Sequence, residues 1–471
     1  MSYPNGLAPA RRTPYTAIMR SLVKKFIPRN LFRAIEPYGH LGEAVLLNVL
    51  HGFPAHGLKV IGVTGTNGKT STSFIIHRML HEAGYKVGLM TTVAYGAGLD
   101  IRPQMAHMTT ASVPQLHRRF KELKAQGVEW LVLETTSHAL AQHRVWGVPY
   151  SVAVLTNLTH EHLDYHGTFE RYRDAKKMLF IQTNRNHKGL RTGIVNADDA
   201  SADVFAAAVQ HPISYGLQQG DARARNVQLS PDGVAYDATL QGTTYHIRCQ
   251  LPGSFNVYNS LAAVCVGHAM GLTPAQVEQG IAALEGVEGR MTRVDEGQDF
   301  SVIVDYAHTP DSFEKLFKDL KPVVKGKLIT VFGSAGRRDE AKRAVQGRLA
   351  ARYADEVIVT EEDDRDMDGQ EIMQQIAAGA EAAGKRVGRD LFLEHDRDKA
   401  IRLAVSRAGK GDTVLLLGKG HEKDILRNGP RAAELRHLQQ DDSNPDRVIA
   451  IPWDEIGEAR QAVRARLKKQ K

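Results

Sequence analysis

Cysteine is nearly absent from the 471 residues: Cys249 and Cys265 stand in apolar or strand-like surroundings and show no C-x-x-C spacing. That excludes a disulfide framework and a thiolate zinc site, and it fits a reducing, cytoplasmic setting. Long apolar runs are missing too. The N-terminal candidate, Ala44 to Leu50, is far shorter than the roughly 18 apolar residues a membrane span needs. The basic start from Arg11 to Arg33 carries no apolar run followed by a small-residue cleavage site, so no secretory signal is expected. Nor does one sign of charge dominate: Lys+Arg 61 against Asp+Glu 53 leaves +8, a mild excess that suits anionic partners without choosing between nucleotide, nucleic acid and membrane surface. With 42% hydrophobic and 24% charged residues the chain is neither disordered nor collagen-like. At about 150 residues per domain its length predicts roughly three domains.

Residues 1–57 read as a basic helical segment divided by prolines, Pro37 among them, and not as a sheet unit. From Lys59 the texture changes. The apolar run Val60-Ile61-Gly62-Val63 ends in a Gly-rich turn, and Ser71 to Gly84 has helical periodicity with Gly84 as C-cap. The runs at 130–133 and 151–155 read as buried parallel strands, so an α/β architecture follows. Alternation from Val227 to Gln250, with Asp232-Gly233 as a turn, predicts an antiparallel excursion before a helix at Asn256 to Gly271. A second α/β series runs through 300–304, 328–332, 356–359 and 413–417. The expected units are 1–57, a central α/β unit at 58–297 built on a mostly parallel sheet, and a Rossmann-like α/β unit at 298–471.

Gly65-Thr66-Asn67-Gly68-Lys69-Thr70, between a strand and a helix, has the parts of a phosphate cradle. The glycines let backbone N–H groups approach phosphate oxygens, Lys69 supplies a point charge, and Thr70 can ligate Mg²⁺ at a helix N-terminus. The full Walker spacing would have Gly where Val63 stands. Glu134 follows a buried strand and sits where a carboxylate would face a phosphate-bound Mg²⁺. The segment from Asn157 to Gly167 crowds His160, His162 and His166 with Glu161 and Asp164; zinc is one reading, and a hard cation suits the carboxylates better.

These motifs, with Ser137-His138, Asp305-Tyr306-Ala307-His308-Thr309-Pro310-Asp311 and Gly418-Lys419-Gly420-His421-Glu422, resemble those of the Mur ligases, and among them the tripeptide synthetases, the MurE branch. The resemblance runs in order from about residue 58 to 425. It implies ATP-dependent amide ligation through an acyl phosphate, on a nucleotide-sugar peptide (UDP-MurNAc-L-Ala-D-Glu) and an amino acid, in peptidoglycan precursor synthesis. By similarity Lys69 holds phosphates, Thr70 and Glu134 hold one Mg²⁺, and His162 with a carbamylated Lys176 holds a second. Asn256, Asn259, Arg290 and Asp305 would serve the nucleotide. His308 and Lys342 would join the catalytic groups as the C-terminal unit closes. Thr109, Thr110, Thr136 and Arg144 would contact the muramoyl dipeptide, and Arg338, Asp363, Arg365, Gly418 and Glu422 the amino acid.

Relatives that add meso-diaminopimelate carry Asp-Asn-Pro-Arg where this chain reads Glu362-Asp363-Asp364-Arg365. The retained Arg365 favours diaminopimelate over lysine, because a guanidinium pairs with a distal carboxylate and repels a distal ammonium. The resemblance also implies a monomer with no nucleic-acid partner, and a peripheral membrane contact is expected of the basic N-terminal segment. Two alternatives remain: a related ligase acting on another peptide or a lipid-linked acceptor, and a nucleic-acid- or membrane-associated NTPase. The second would use Arg20, Lys24, Lys25, Arg29 and Arg33 with the tail Arg464, Arg466, Lys468, Lys469 and Lys471. Full-length members of the family have three domains, whereas here two account for 58–471 and leave too little chain ahead for the usual UDP-binding unit.

Overall fold

The computed structural model describes residues 29–104, 109–230, 232–365, 367–427 and 449–470. Helix α1 (Arg29–Leu50) comes first and runs through Pro37 without a break. The expected division at Pro37 is therefore corrected: a proline inside a helix removes one hydrogen bond and need not end it. Arg20, Lys24 and Lys25 lie outside the described residues.

The first sheet has 11 strands in the order β11-β10-β9-β8-β7-β6-β1-β5-β2-β3-β4. Its centre is β1 (Lys59–Thr64), flanked by β5 (Trp130–Glu134) and β6 (Tyr150–Leu155), all parallel. Beyond them lie β2 (Val87–Met90), β3 (Ala94–Ala97) and β4 (Asp100–Pro103) on one side, β7 (Thr192–Asn196) and β8 (His211–Gly216) on the other. The expected excursion is a meander of β9 (Ala222–Ser230), β10 (Gly233–Leu240) and β11 (Thr243–Cys249), in which β10 pairs antiparallel with both neighbours. The central strands bury both faces. Ile61, Val63 and Val132 point into one apolar cluster, and Val60, Leu131 and Leu133 into the other. That is why these strands read as continuous apolar runs.

Helices α2 (Lys69–Glu82), α8 (Phe255–Ala269) and α9 (Pro274–Ala282) cover the first face. The second is covered by α3 (Val113–Ala125), α4 (Ser137–Ala141) and α6 (Phe169–Arg185), while α5 (Leu163–His166) and α7 (Ala202–Ala206) are short turns between strands. Gly84 follows α2 at φ 88°, as its C-cap reading requires.

A six-stranded sheet, β12-β13-β17-β14-β15-β16, forms the second layer. It contains β12 (Thr292–Val294), β13 (Ser301–Asp305), β14 (Leu328–Phe332), β15 (Glu356–Val359), β16 (Leu391–Leu393) and β17 (Thr413–Leu417), with only β12 antiparallel. Its first strand thus precedes residue 298. Around it pack α10 (Pro310–Leu320), α11 (Ala341–Tyr353), α12 (Gly369–Ala382), α13 (Arg397–Arg407) and the final α14 (Glu455–Gln470), and a hairpin of β18 (Asp424–Arg427) and β19 (Ile449–Pro452) lies beside it. Of the tail cations, Arg464 pairs with Glu296 at 2.7 Å and Arg466 lies over the Phe300 ring.

Arg397 braces this second unit. Fully buried at the start of α13, it donates to the Glu361 carbonyl (2.9 Å), to the Leu417 carbonyl (2.7 Å) and to both oxygens of the equally buried Glu455. One guanidinium therefore ties the C-terminal ends of β15 and β17 to α14. Removing it strands Glu455 as a buried unpaired charge, so Arg397→Met should lose about 3–5 kcal/mol in guanidinium chloride unfolding. Arg397→Met combined with Glu455→Gln should recover part of that loss.

Candidate active site

The C-terminal ends of strands from both sheets converge on one cavity of about 1090 Å³. In open α/β sheets this is where ligands bind, because helix N-termini and loops rather than side-chain layers face the space.

The loop after β1 enters it first. Gly65 at φ 147° and Gly68 at φ 81° are required, because a Cβ would lie 1.9 Å from Thr156 Oγ1 at the first and 2.4 Å from Asn259 Oδ1 at the second. The segment after β6 holds this loop. Thr66 N donates to the Asn157 carbonyl, Asn67 N to Asn157 Oδ1, and Thr156 Oγ1 to the Asn67 carbonyl. Lys69 Nζ folds back on the Thr66 carbonyl at 2.7 Å. Asn259, held by Asn256 (2.8 Å) and by Thr72 (3.1 Å), packs against the loop from α8. Both asparagines line the cavity, but with these side-chain bonds they brace the cradle.

Beside it, Glu134 Oε2 accepts from Thr70 Oγ1 (3.0 Å), Thr92 N (2.9 Å) and Thr92 Oγ1 (3.1 Å). All of these fall on one oxygen, Oε2. Arg290 reaches Thr70 Oγ1 at 3.3 Å and stacks on Tyr306. Asp305, a cavity-lining residue, accepts from the Met291 and Ala307 amides, each at 2.8 Å, and burial raises its pKa in spite of Arg290 and those amides.

His162 lies at the N-terminus of α5 with φ 56°, its ring 4.7 Å from that of His138. Burial first, then Lys176, Lys69 and Arg338, lower His162 to about 4 against the pull of Glu161. Burial with His162, His166 and nearby arginines lowers His138 to about 3. Both rings are neutral at pH 7, and a neutral ring nitrogen can hold a metal. Lys176 is buried on α6 and donates to the Gly65 carbonyl at 2.7 Å, with Tyr172 against it. Burial, followed by the charge of Lys69, pushes its ammonium well below the ordinary value. That shift favours the deprotonated amine, the form that can take up carbon dioxide. Glu134 and His162 line the cavity with donor atoms that suit a metal, and Lys176 lies behind the lining.

The second unit supplies the opposite wall. Thr309 caps α10 in a reciprocal box with Ser312, which sets Asp311 in the first turn to accept from Asn67 Nδ2 at 2.8 Å. His308 Nε2 stands 3.6 Å from Glu161, and Lys342 Nζ donates to the His308 carbonyl. Burial would raise Glu161, but His308, His162 and Lys69 outweigh it and keep the carboxylate well below its usual range.

At the far end, Glu362, Asp363, Arg365, Arg338 and Glu422 line the cavity. Arg365 adopts φ 56° and is held by its amide to the Leu426 carbonyl (2.9 Å). Its Nε and Glu362 Oε2 are buried without a hydrogen-bond partner among the described residues. Buried polar atoms of that kind need a ligand or water. Gly418, at φ 100°, sits against Glu362. Asp364 faces away from the cavity, with Oδ2 2.7 Å from His395 Nε2, so its extra charge does not oppose a carboxylate at Arg365.

Of the residues singled out in the sequence, Gly65, Lys176, Thr110, Arg144 and Gly418 stand behind the lining. Thr110 Oγ1 donates to the Glu134 carbonyl, and Arg144 spends its guanidinium on the Thr110 and Ala111 carbonyls and Gln142. Thr109 and Thr136 reach the cavity. Glu161, Asp311, Tyr306 and Glu362 line it as well but were not singled out, although each lies within a motif already read. Thr92 carried no signal at all: it is one of two threonines after β2, and only the fold brings it to Glu134. Among the described residues, Glu361, Asp364 and His395 bring ligand-capable atoms within 4.8 Å of one another, but Glu361 is taken by Arg427.

A family model described as the Mur ligase middle domain matches residues 63–267, and one described as Mur ligase, glutamate ligase domain, matches 289–420. The chain is 40% identical over 442 residues to a UDP-N-acetylmuramyl-tripeptide synthetase of Roseiflexus sp. (strain RS-1), covering 91% of this chain and 82% of that protein. To the UDP-N-acetylmuramoyl-L-alanyl-D-glutamate--2,6-diaminopimelate ligase of Geobacillus thermodenitrificans (strain NG80-2) it is 41% identical over 392 residues, with 82% and 79% covered. A solved structure of a ligase of that same description superposes with a TM-score of 0.58 at 30% identity, over 87% of this chain and 79% of that one. The MurF ligase of Thermotoga maritima in complex with ADP, at 18% identity, shares the fold with a TM-score of 0.62 over 95% and 86%.

The lowered histidines carry a pH dependence. The unfolded chain protonates these rings near 6.5, but the folded site does so only near 4 at His162 and near 3 at His138. Their contribution to stability is therefore full above pH 6.5 and falls as pH drops towards those values. The urea midpoint should decline below pH 6.5, and less steeply in His138→Phe. A ring titration by NMR showing His162 protonated above pH 6 would contradict the assignment.

Proposed function

The chain belongs to the Mur ligase family, and from that premise we propose that it joins 2,6-diaminopimelate to UDP-N-acetylmuramoyl-L-alanyl-D-glutamate with ATP as the phosphoryl donor. One observation carries the reading: a single cavity is lined by a phosphate loop and by an arginine and a glutamate whose Nε and Oε2 have no hydrogen-bond partner among the described residues. Such a pair complements a side chain that terminates in both a carboxylate and an ammonium. The similar proteins named for diaminopimelate support the same amino acid.

The chemistry follows from what each end can do. A carboxylate is a poor acyl donor, so the acceptor's carboxylate oxygen takes the γ-phosphoryl group, the bond to the β-phosphate oxygen breaks, and ADP leaves. The amine nitrogen then attacks the acyl carbon, phosphate departs with the C–O electron pair, and the nitrogen loses a proton. Phosphoryl transfer asks for positioning and charge neutralisation more than covalent help. The backbone N–H groups of 65–70 and Lys69 bind the phosphates, while Arg290, Arg338 and Lys342 bring positive charge from the facing unit. Thr109 and Thr136 contact the acceptor peptide, with Thr110 and Arg144 shaping their loop from behind. Arg365 takes the distal carboxylate, and Glu362 and Glu422 the distal ammonium. Thr70, Glu134, His162 and a carbamylated Lys176 would hold Mg²⁺. When bound there, Mg²⁺ withdraws charge from the phosphate oxygens. Closure of the two units keeps water from the acyl phosphate.

The test is a product assay. Phosphate release should require both the muramoyl dipeptide and an amino acid, and mass analysis should show the tripeptide. Equal ATP turnover without either substrate would refute the reading, and faster turnover of a lipid-linked acceptor would move it to that substrate. For Lys176, loss of activity by a factor of about 10² or more is expected in Lys176→Ala, with partial rescue by formate or acetate. Full activity in that variant would remove the carbamate.

A further inference from the structure

Lys419 stands behind the amino-acid end of the cavity, and its side chain is fully buried. Its Nζ lies 2.9 Å from Asp363 Oδ1 and 2.6 Å from Glu422 Oε2. Glycines flank it on both sides. Gly418 and Gly420 have φ of 100° and 50°, and a Cβ on either would come within 2.7 Å of Glu362 or of Tyr306. The loop passes close to Glu362 and Tyr306, and the two ion pairs hold Lys419 inward. Burial opposes its charge, yet Glu422 and Asp363 outweigh burial and hold its pKa above the ordinary value. Those two carboxylates share that one cation, and burial still raises the pKa of Glu422.

Charge decides what such a pocket takes. Glu362, Asp363 and Glu422 face Arg338 and Arg365 around the cavity end, so the lining alone sums to 2 − 3 = −1. That balance suits a side chain ending in an ammonium alone. Adding Lys419 brings the sum to zero, which suits an end bearing ammonium and carboxylate together. We propose that Lys419 is a positioning residue that sets specificity: it neutralises one unit of the Asp363–Glu422 charge, so the pocket selects an amino acid with a zwitterionic terminus over one with a bare cationic terminus. The inference rests on the reading above that a diamino acid enters here.

The experiment is a panel of diaminopimelate, lysine and ornithine with ATP and the muramoyl dipeptide, run on the wild-type chain, Lys419→Met, Lys419→Arg and the pair Lys419→Met/Asp363→Asn. A buried unit charge in contact with the pocket should change the diaminopimelate-to-lysine ratio of kcat/KM by at least about tenfold. In Lys419→Met the ratio should move towards lysine through the KM for the amino acid, with the KM for ATP unchanged. Lys419→Arg keeps the charge and should keep the ratio. The double variant removes the Asp363 charge together with that of Lys419 and restores the zero sum, so it should be more stable than the single variant and should return to the wild-type ratio. An unchanged ratio in Lys419→Met, or a lysine preference in the double variant, overturns the inference. If the wild-type chain ligates none of the three amino acids, the proposed reaction itself falls and this inference with it.

Discussion

Asn67 donates to Asp311 at 2.8 Å across the gap between the two sheets, and the rest of the site depends on that approach. The phosphate loop belongs to the first unit, whereas Asp311, His308 and Lys342 belong to the second. Neither unit alone holds both ends of the proposed reaction. The approach also sets the electrostatics, because Glu161 is kept ionised by groups that include His308 from the far wall. A reactive acyl phosphate survives only where water is excluded, and here exclusion and assembly of the site are one event.

The rigidity behind this approach comes from buried polar groups tied to backbone. Arg397 links the ends of β15 and β17 to α14, the segment after β6 clamps the phosphate loop, and Asn259 packs on Gly68. Burying such groups is costly unless every hydrogen bond is met. Most are met. Of those that are not, Glu362 Oε2, Arg365 Nε and Arg290 Nε belong to residues that line the cavity. At those three a substrate in the cavity can supply the partner, whereas others, such as Arg343 and Gln346, lie away from the lining.

Much of the fold was legible because the central strands bury both faces and so read as unbroken apolar runs. The strands at 130–133, 151–155, 328–332 and 413–417 needed no other signal. The short strands β3, β4 and β16, by contrast, are partly exposed, and their pattern is too brief to separate from loops. Within the site, the phosphate loop was readable since its glycines answer a local backbone demand. Glu161 and Asp311 lay inside motifs already noticed, but their partners His308 and Asn67 are far along the chain. Arg144 and Thr110 show the converse: their residue types suited substrate contact, and packing turned them on backbone carbonyls.

The sequence by itself determined the alternating α/β order, the phosphate cradle and the set of chemical groups, since each of these follows from local periodicity, backbone freedom or side-chain type. Only the tertiary structure decided which of those groups share one space. Asp364 is adjacent to Arg365 in the chain, yet it faces His395 and leaves the cavity. Lys419 lies 56 residues from Asp363 and still neutralises it. Charge and burial act through distance in space, and that distance is set by how two sheets face each other.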